Sequence, residues 1–265
     1  MKNAALITGA TSGLGLAYAN EYGKKGYNLI ITGRREDKIR TNAVYIENTY
    51  HVTVKTVIVD LAYEEGVNIL LNEIRDDEIE VLINNAGFGL KPVFTEVPKE
   101  DRDGIMFLQM NTVVILTQHI LKQMMVRNRG TIINISSDGA FAVMPRNILY
   151  SSTKLFILNF TEGLYMELID TAIQVQVVCP GFIDSDFHES AGMKVIKKKK
   201  GFMKFNAPEK IVDLAMRDLK KGQVVSVPGT DAKIIQIMTK LLPRKLFYKL
   251  MINFTRKRNK KLLRQ

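Results

Sequence analysis

The sequence predicts a doubly wound α/β domain on a mostly parallel seven-stranded sheet, followed by a basic helical extension. Three observations carry this. Apolar runs of strand length alternate with amphipathic segments of helix length through most of the 265 residues. Several of those runs are rich in Val and Ile and uniformly apolar, as strands covered on both faces should be. Strand–helix alternation of this kind requires right-handed crossovers between parallel neighbours.

The strands are expected at 4–8, 28–32, 52–59, 81–84, 131–136, 174–179 and 223–227. Helices are expected between them at 13–25, 36–49, 62–76, 101–127, 149–170 and 208–221. Without an internal repeat or a low-complexity linker, residues 1–229 read as one domain. Residues 181–206 interrupt the alternation as a long irregular connection. Residues 230–265 form an extension whose apolar positions recur at helical spacing on both sides of Pro243, so two amphipathic helices split by that proline are expected.

The net charge of +11 is uneven. Residues 1–193 carry 17 basic and 23 acidic residues, whereas residues 194–265 carry 21 and 4. That asymmetry points to an acidic partner or to a solvated basic tail. Cys179 is the single cysteine and cannot form an intrachain disulfide, which with an apolar neighbourhood suggests a buried, inert thiol in a reducing compartment. No signal peptide is visible in the first residues. The stretch from Gly104 to Leu121 has no charged residue but includes Gln109, Asn111, Gln118 and His119, too polar for a span. A cytoplasmic protein is expected.

Immediately after the first strand stands Thr8-Gly9-Ala10-Thr11-Ser12-Gly13-Leu14-Gly15. Glycines permit a tight turn and close approach to a pyrophosphate, and the following helix N-terminus presents free N–H groups to the anion. The second strand runs into Gly33-Arg34-Arg35. An acidic residue here would bond the ribose 2′-hydroxyl of NAD, whereas a guanidinium matches a 2′-phosphate. NADP is therefore expected over NAD.

Tyr150 and Lys154 lie four apart in a helical segment and share a face. Ser137 closes the fifth strand at its carboxyl end, where open α/β sheets bind ligands. Asn111 sits within a helical segment among apolar residues. With the glycine loop, Asp60, Asn84-Asn85-Ala86-Gly87, Tyr150-Ser151-Ser152-Thr153-Lys154 and Pro180-Gly181 followed by Ser185, these residues make the chain resemble the short-chain dehydrogenase/reductase family over about residues 3–229.

The resemblance implies a Rossmann-type fold and a nicotinamide-dependent oxidoreductase. It implies that Gly9, Thr11, Ser12, Gly13, Leu14 and Gly15 form the phosphate loop. Arg34 and Arg35 would hold the 2′-phosphate, and Asp60 and Leu61 would contact the adenine. Asn84, Ala86 and Gly87 would line the nucleotide cleft. Pro180, Gly181, Ile183 and Ser185 would complete the nucleotide site, with Ser185 where the family usually has Thr. Many NADP-preferring members carry a basic residue where this chain has Ser12, which leaves the 2′-phosphate to the two arginines.

The catalytic set implied is Asn111, Ser137, Tyr150 and Lys154. Tyr150 would exchange a proton with the substrate oxygen and Ser137 would hydrogen-bond the same oxygen. Lys154 would hold the nicotinamide ribose and lower the Tyr150 pKa, and Asn111 would position a water.

The resemblance implies that the connection 181–206 closes over the substrate, and its Phe182, Ile183, Phe187, Met193, Val195, Ile196, Phe202, Met203 and Phe205 make it an apolar lid candidate. Phe88, Leu90, Phe94, Phe141, Val143 and Met144 are expected near the same site. A hydrophobic carbonyl or alcohol is the expected substrate, such as a 3-oxoacyl thioester or a steroid. The lysines at 197–200 could attract a phosphorylated or acidic carrier. The basic extension could touch an anionic membrane or pack on the domain. Nucleic-acid binding lacks interleaved aromatics and is disfavoured. The resemblance also implies a homodimer or homotetramer through the helices near 101–127 and 149–170. Ile105, Phe107, Leu108, Val113 and Ile115 suit either that role or core packing.

Three scattered histidines and one cysteine offer neither a hydrolytic triad nor a zinc-ligand set. The competing class is a catalytically silent nucleotide-binding scaffold on the same fold.

Overall fold

The computed structural model describes residues 1–90, 92–143, 145, 147–184 and 205–262, with side chains through 253 and at 256. Seven strands form one sheet in the order β3-β2-β1-β4-β5-β6-β7, and every pairing is parallel. The strands are β1 (Ala4–Thr8), β2 (Asn28–Gly33), β3 (Val54–Ile58), β4 (Ile79–Asn84), β5 (Gly130–Ile135), β6 (Ile173–Val178) and a two-residue β7 (Val225–Ser226). The expected doubly wound sheet is therefore present, and wholly parallel rather than mostly so. Its order reverses between β1 and β4, the switch point where such sheets open a crevice for a ligand.

Successive side chains of a strand point to opposite faces, and β1 shows the consequence. Ala5 and Ile7 join the core beneath α1 (Gly13–Lys24) and α2 (Glu36–Tyr50), while Ala4 and Leu6 join the core on the other face. All four are fully buried. A buried Leu or Ile contributes roughly 1.5–3 kcal/mol relative to exposure, so an apolar strand is held from both sides.

The helices start and stop for local reasons. Glu36 and Asp37 in the first turn of α2 favour its positive end, and His51 ends it in the left-handed region at φ 57°. Helix α3 (Glu64–Glu73) also opens on two acids.

Helix α4 (Lys99–Met106) runs through a π-helical turn at Phe107–Asn111 into α5 (Thr112–Arg127). The continuous helix Lys99–Arg127 is long and apolar enough to cross a membrane. Ile105, Leu116, Ile120 and Met124 on it are fully buried in the domain, which makes it a core helix. Leu108 and Val113 are buried as well, and Phe107 and Ile115 pack against the core. These residues are occupied by packing within the chain.

Helix α6 (Ile148–Glu167) precedes β6, and α7 (Pro208–Lys220) starts with proline at its first position, where the missing N–H is not needed. The extension forms α8 (Thr230–Leu241) and α9 (Arg244–Leu262), parted at Pro243 as expected. Ala232 is fully buried in a cluster with Val177, Cys179 and Val227, and Phe247 is also buried. The start of the extension thus packs on the domain.

Candidate active site

The phosphate loop follows β1 and wraps the start of α1. Gly9 and Gly13 take positive φ values of 69° and 59°. Side chains are excluded here: a Cβ on Gly15 would stand 2.3 Å from the Gly9 carbonyl oxygen. Ser12 before α1 is extended and makes no side-chain cap, so the first N–H groups of the helix keep their hydrogen-bonding capacity. This cradle fits a pyrophosphate by its geometry. Leu14 contributes its side chain to the core, so only its backbone can serve the loop.

Several braces hold the loop. The Thr8 hydroxyl accepts from the N–H groups of Asn85 (2.9 Å) and Ala86 (3.0 Å). The Asn85 amide donates to the carbonyls of Thr8 (2.8 Å) and Gly9 (3.1 Å). Asn42 of α2 donates to the carbonyl of Ala10 at 3.0 Å. Asn42 and Asn85 were not singled out by the sequence, because their partners lie about 30 and 77 residues away.

At the end of β2 the two arginines diverge. Arg34 donates to Asp60 at 3.3 Å, while Arg35 reaches Thr11 Oγ1 (2.6 Å) and Ser12 Oγ (3.1 Å) across the phosphate loop. A Cβ on Gly33 would come within 2.8 Å of Thr11 Cγ2. A side chain there would press on Thr11 and Ile39. Leu61 is buried, and Asp60 also accepts from the Ala62 N–H at 3.0 Å.

Asn84 ends β4 with its side chain turned into the sheet. Its buried amide donates to Asn134 Oδ1 (2.8 Å) and Thr117 Oγ1 (3.1 Å), and Asn134 in turn donates to Thr161 (2.9 Å). This network ties β4 and β5 to α5 and α6 and leaves the Asn84 side chain committed inside the sheet. Ala86 and Gly87 follow at the strand end. The fully buried Gln109 secures that loop by donating to the Phe88 carbonyl at 2.7 Å and accepting from Thr153 at 3.2 Å.

The expected catalytic residues converge in part. Ser137, in the turn after β5, is buried, and its hydroxyl is hydrogen-bonded with Tyr150. Lys154, one helical turn beyond Tyr150, is buried with its Nζ 5.6 Å from the Tyr150 ring centroid. That ammonium donates to the Ile135 carbonyl at 2.9 Å, and a lysine has two further donors to offer a ribose hydroxyl. Asn111 stands at the end of the π-helical turn, exposed, and its side chain has no hydrogen bond to any described residue. Helical bulges of this type cluster at functional sites.

The electrostatics differ from expectation at Tyr150. Burial pushes its phenol up to about 12, opposed by the Ser137 hydrogen bond and reinforced by Asp138. Burial also pulls the Lys154 ammonium down to about 8. The side chains alone therefore do not lower the phenol, because a low-dielectric site disfavours both charged forms. Burial likewise raises the Cys179 thiol to about 12, which agrees with an inert thiol.

Pro180 and Gly181 close the floor of the site. The Pro180 carbonyl accepts from the Asp138 N–H at 2.9 Å, and Ile183 makes a parallel bridge to Asn206. Ser185 lies outside the described residues. So do Phe187, Met193, Val195, Ile196, the lysines at 197–200, Phe202 and Met203 of the expected lid, as well as Met144. Leu90, Pro92, Phe94, Val97, Ile148 and Leu149, with the polar Asn147, line a small depression at the start of α6, which also carries Tyr150.

Two acids enter the site without a signal in the sequence. Asp138 is buried, and burial raises its carboxyl to about 6, with Asp231 adding to the rise. The folded protein thus binds this proton more tightly than the unfolded chain. The associated stability is fully present below pH ~4 and is lost as pH rises through about 6. Asp138→Asn is expected to be more stable than wild type at pH 7, by up to roughly 3 kcal/mol at 1.36 kcal/mol per pKa unit. The difference should vanish near pH 4. Urea midpoints measured across that range check this, and parallel pH dependences for the two proteins would refute it.

Comparison with known proteins agrees with this geometry. The sequence profile described as short chain dehydrogenase matches residues 3–195. The 3-oxoacyl-[acyl-carrier-protein] reductase FabG of Aquifex aeolicus is 30% identical over 84% of this chain and 95% of its own. The very-long-chain 3-oxoacyl-CoA reductase of Rattus norvegicus is 27% identical over 98% of this chain and 82% of its own. A short-chain dehydrogenase from Sphingobium yanoikuyae in complex with NADPH superposes with a TM-score of 0.80 at 25% identity, covering 91% of this chain and 96% of that one.

Proposed function

The chain belongs to the short-chain dehydrogenase family, an oxidoreductase family of alcohols and carbonyls, and we propose that it transfers hydride between NADP(H) and a hydrophobic ketone or secondary alcohol. The observation that carries this reading is the convergence of Ser137, Tyr150 and buried Lys154 at the carboxyl edge of the sheet, beside the phosphate loop. The nicotinamide supplies the hydride when bound. Tyr150 gives a proton to the carbonyl oxygen during reduction and takes it back during oxidation. Ser137 steadies the same oxygen, Lys154 holds the ribose, and Asn111 positions a water. The nicotinamide's positive charge, in its oxidised form, favours the phenolate that burial opposes.

A 3-oxoacyl thioester fits both the largely apolar lining of that depression and the substrates named for two of the relatives. A steroid or another lipophilic carbonyl fits the same lining, and a further relative is a 17-beta-hydroxysteroid dehydrogenase. NADP over NAD rests on Arg35, whose guanidinium spans Thr11 and Ser12, and on a glycine standing at position 33 in place of an acid. A charge-assisted hydrogen bond contributes roughly 1.5–3 kcal/mol, so Arg35→Ala should weaken NADPH binding about 10- to 100-fold and leave NADH binding nearly unchanged. Arg34→Ala should have the smaller effect, since Arg34 is engaged with Asp60. Calorimetry with both nucleotides tests this. Equal affinities in wild type that neither variant changes would overturn the cofactor assignment, and a wild type that binds neither nucleotide would overturn the enzymatic reading.

For localisation we propose a cytoplasmic protein that touches anionic membrane through its extension. Ile237, Met238 and Leu241 share one exposed face of α8, with Leu241 77% exposed, and Leu246 and Leu250 are exposed on α9. Residues 232–262 contain ten Lys and Arg and no Asp or Glu. Pairing two copies of this surface would bring like charges together, whereas anionic headgroups neutralise them at about 1 kcal/mol per basic residue. The full chain should sediment with phosphatidylglycerol-containing vesicles and not with phosphatidylcholine alone, and Leu241→Glu should weaken the binding. Identical partitioning onto both vesicle types would remove the proposal.

A further inference from the structure

We propose that Asp138 is a positioning residue acting through Ser137: its carboxylate captures the Ser137 hydroxyl hydrogen, and its protonation frees that hydrogen for the substrate oxygen. This deepens the oxidoreductase reading above and rests on it.

A serine hydroxyl has one hydrogen to donate and two lone pairs to accept with. Ser137 Oγ donates to Asp138 Oδ1 at 2.9 Å. It accepts from the Gly139 N–H at 3.1 Å and is also hydrogen-bonded with Tyr150. A hydroxyl engaged in this way has no hydrogen left for a carbonyl oxygen acquiring negative charge, which needs donors aimed at it. An ionised Asp138 therefore competes with the substrate for the Ser137 hydrogen. A protonated Asp138 is a weak acceptor, or itself a donor, and the competition ends. No bond other than hydrogen bonds changes in this step. The proton on Asp138 comes from solvent, and Ser137 keeps its own.

The carboxylate cannot turn away. Its backbone N–H is fixed to Pro180 and the side chain is buried. The titratable groups facing it are Tyr150 on α6, Cys179 after β6 and Asp231 in the first turn of α8. Burial keeps the phenol and the thiol neutral near pH 7, so Asp231 supplies the charge that opposes ionisation. Lys154, the buried cation on α6, is tied to Ile135.

Asp231 is built into the same floor: a Cβ on Gly181 would stand 2.7 Å from its Oδ2. Asp138 Oδ2 and Asp231 Oδ2 are both buried without a hydrogen-bond partner among the described residues. Unpaired buried carboxylate oxygens are costly and collect where a group must change its charge. Burial and Asp231 together place that change at about 6, close enough to neutrality for pH to set the orientation of Ser137.

The test begins with infrared difference titration of the nucleotide-free full chain between pH 4 and 8. A carboxylic-acid band titrating near 6 should be present in wild type and absent in Asp138→Asn. Its midpoint should rise in Ser137→Ala, which removes the hydrogen bond to the ionised form, and fall in Asp231→Asn. The second arm measures kcat/KM for carbonyl reduction against pH, with NADPH and acetoacetyl-coenzyme A as the probe. Wild type should lose about tenfold as Asp138 ionises, the worth of one hydrogen bond to a charged group. Asp138→Asn, which can donate to Ser137 but cannot ionise, should hold the high plateau across the range.

A wild-type protein with no band titrating above pH 5, or with a midpoint that Ser137→Ala does not move, overturns the proposal. So does a pH profile that Asp138→Asn leaves unchanged. Failure of the parent reading looks different: no Tyr150-dependent turnover of any carbonyl, whatever the infrared titration shows.

Discussion

Tyr150→Phe is expected to lower turnover about 10²- to 10⁴-fold, the range associated with one positioned proton donor, while nucleotide affinity changes little. The phenol is half-buried and hydrogen-bonded with Ser137, and no other described hydroxyl of comparable acidity stands beside the Lys154 ammonium. Phenylalanine keeps the ring and its packing at the start of α6 and removes only the exchangeable proton. Single-turnover reduction and nucleotide calorimetry on the same preparation separate chemistry from binding. Retained binding with lost turnover is the outcome for an enzyme. A wild type that binds nucleotide but reduces nothing, with a variant indistinguishable from it, would instead describe a nucleotide-binding scaffold on this fold.

Gly15→Ala should act on the other half of the site. The added carbon would meet the Gly9 carbonyl oxygen at 2.3 Å and Asn85 Nδ2 at 2.6 Å. Neither neighbour can yield freely, because Asn85 holds the loop through Thr8 and Gly9. Overpacking of this kind costs about 1–3 kcal/mol. The loop must also move relative to the helix N-terminus proposed to receive the pyrophosphate. Losing two charge-assisted hydrogen bonds at roughly 1.5 kcal/mol each weakens binding by at least about 100-fold. Gly163→Ala is the matching control, since no atom lies within 4 Å of its added carbon. Near-normal affinity in Gly15→Ala would show that the loop does not grip the phosphates as proposed.

The two halves of the site differed in how far they could be read from sequence. The glycine loop, Ser137 and the Tyr150–Lys154 pair were legible because each depends on local order: a strand end, a helix start, a four-residue spacing. The same locality made the strands readable, with β1 found at its observed limits and the others within a few residues. The partners of the Asn84 amide were not legible, because Thr117 and Asn134 lie 33 and 50 residues away. Arg34 and Arg35 were equivalent on paper, and only the path of β2 past the loop assigned one to Asp60 and the other to Thr11 and Ser12.

The amino-acid order by itself determined the doubly wound sheet and the glycine loop between β1 and α1, and it placed Tyr150 and Lys154 on one helix face, since hydrophobic period and glycine placement act over a few residues. Tertiary structure alone decided the electrical character of the site. Burial, more than the nearby lysine, sets the Tyr150 phenol, and Asp138 feels Asp231 from a helix near the other end of the chain. Desolvation and charge coupling depend on distances through folded space, and those exist only once the extension has packed against the turn after β5.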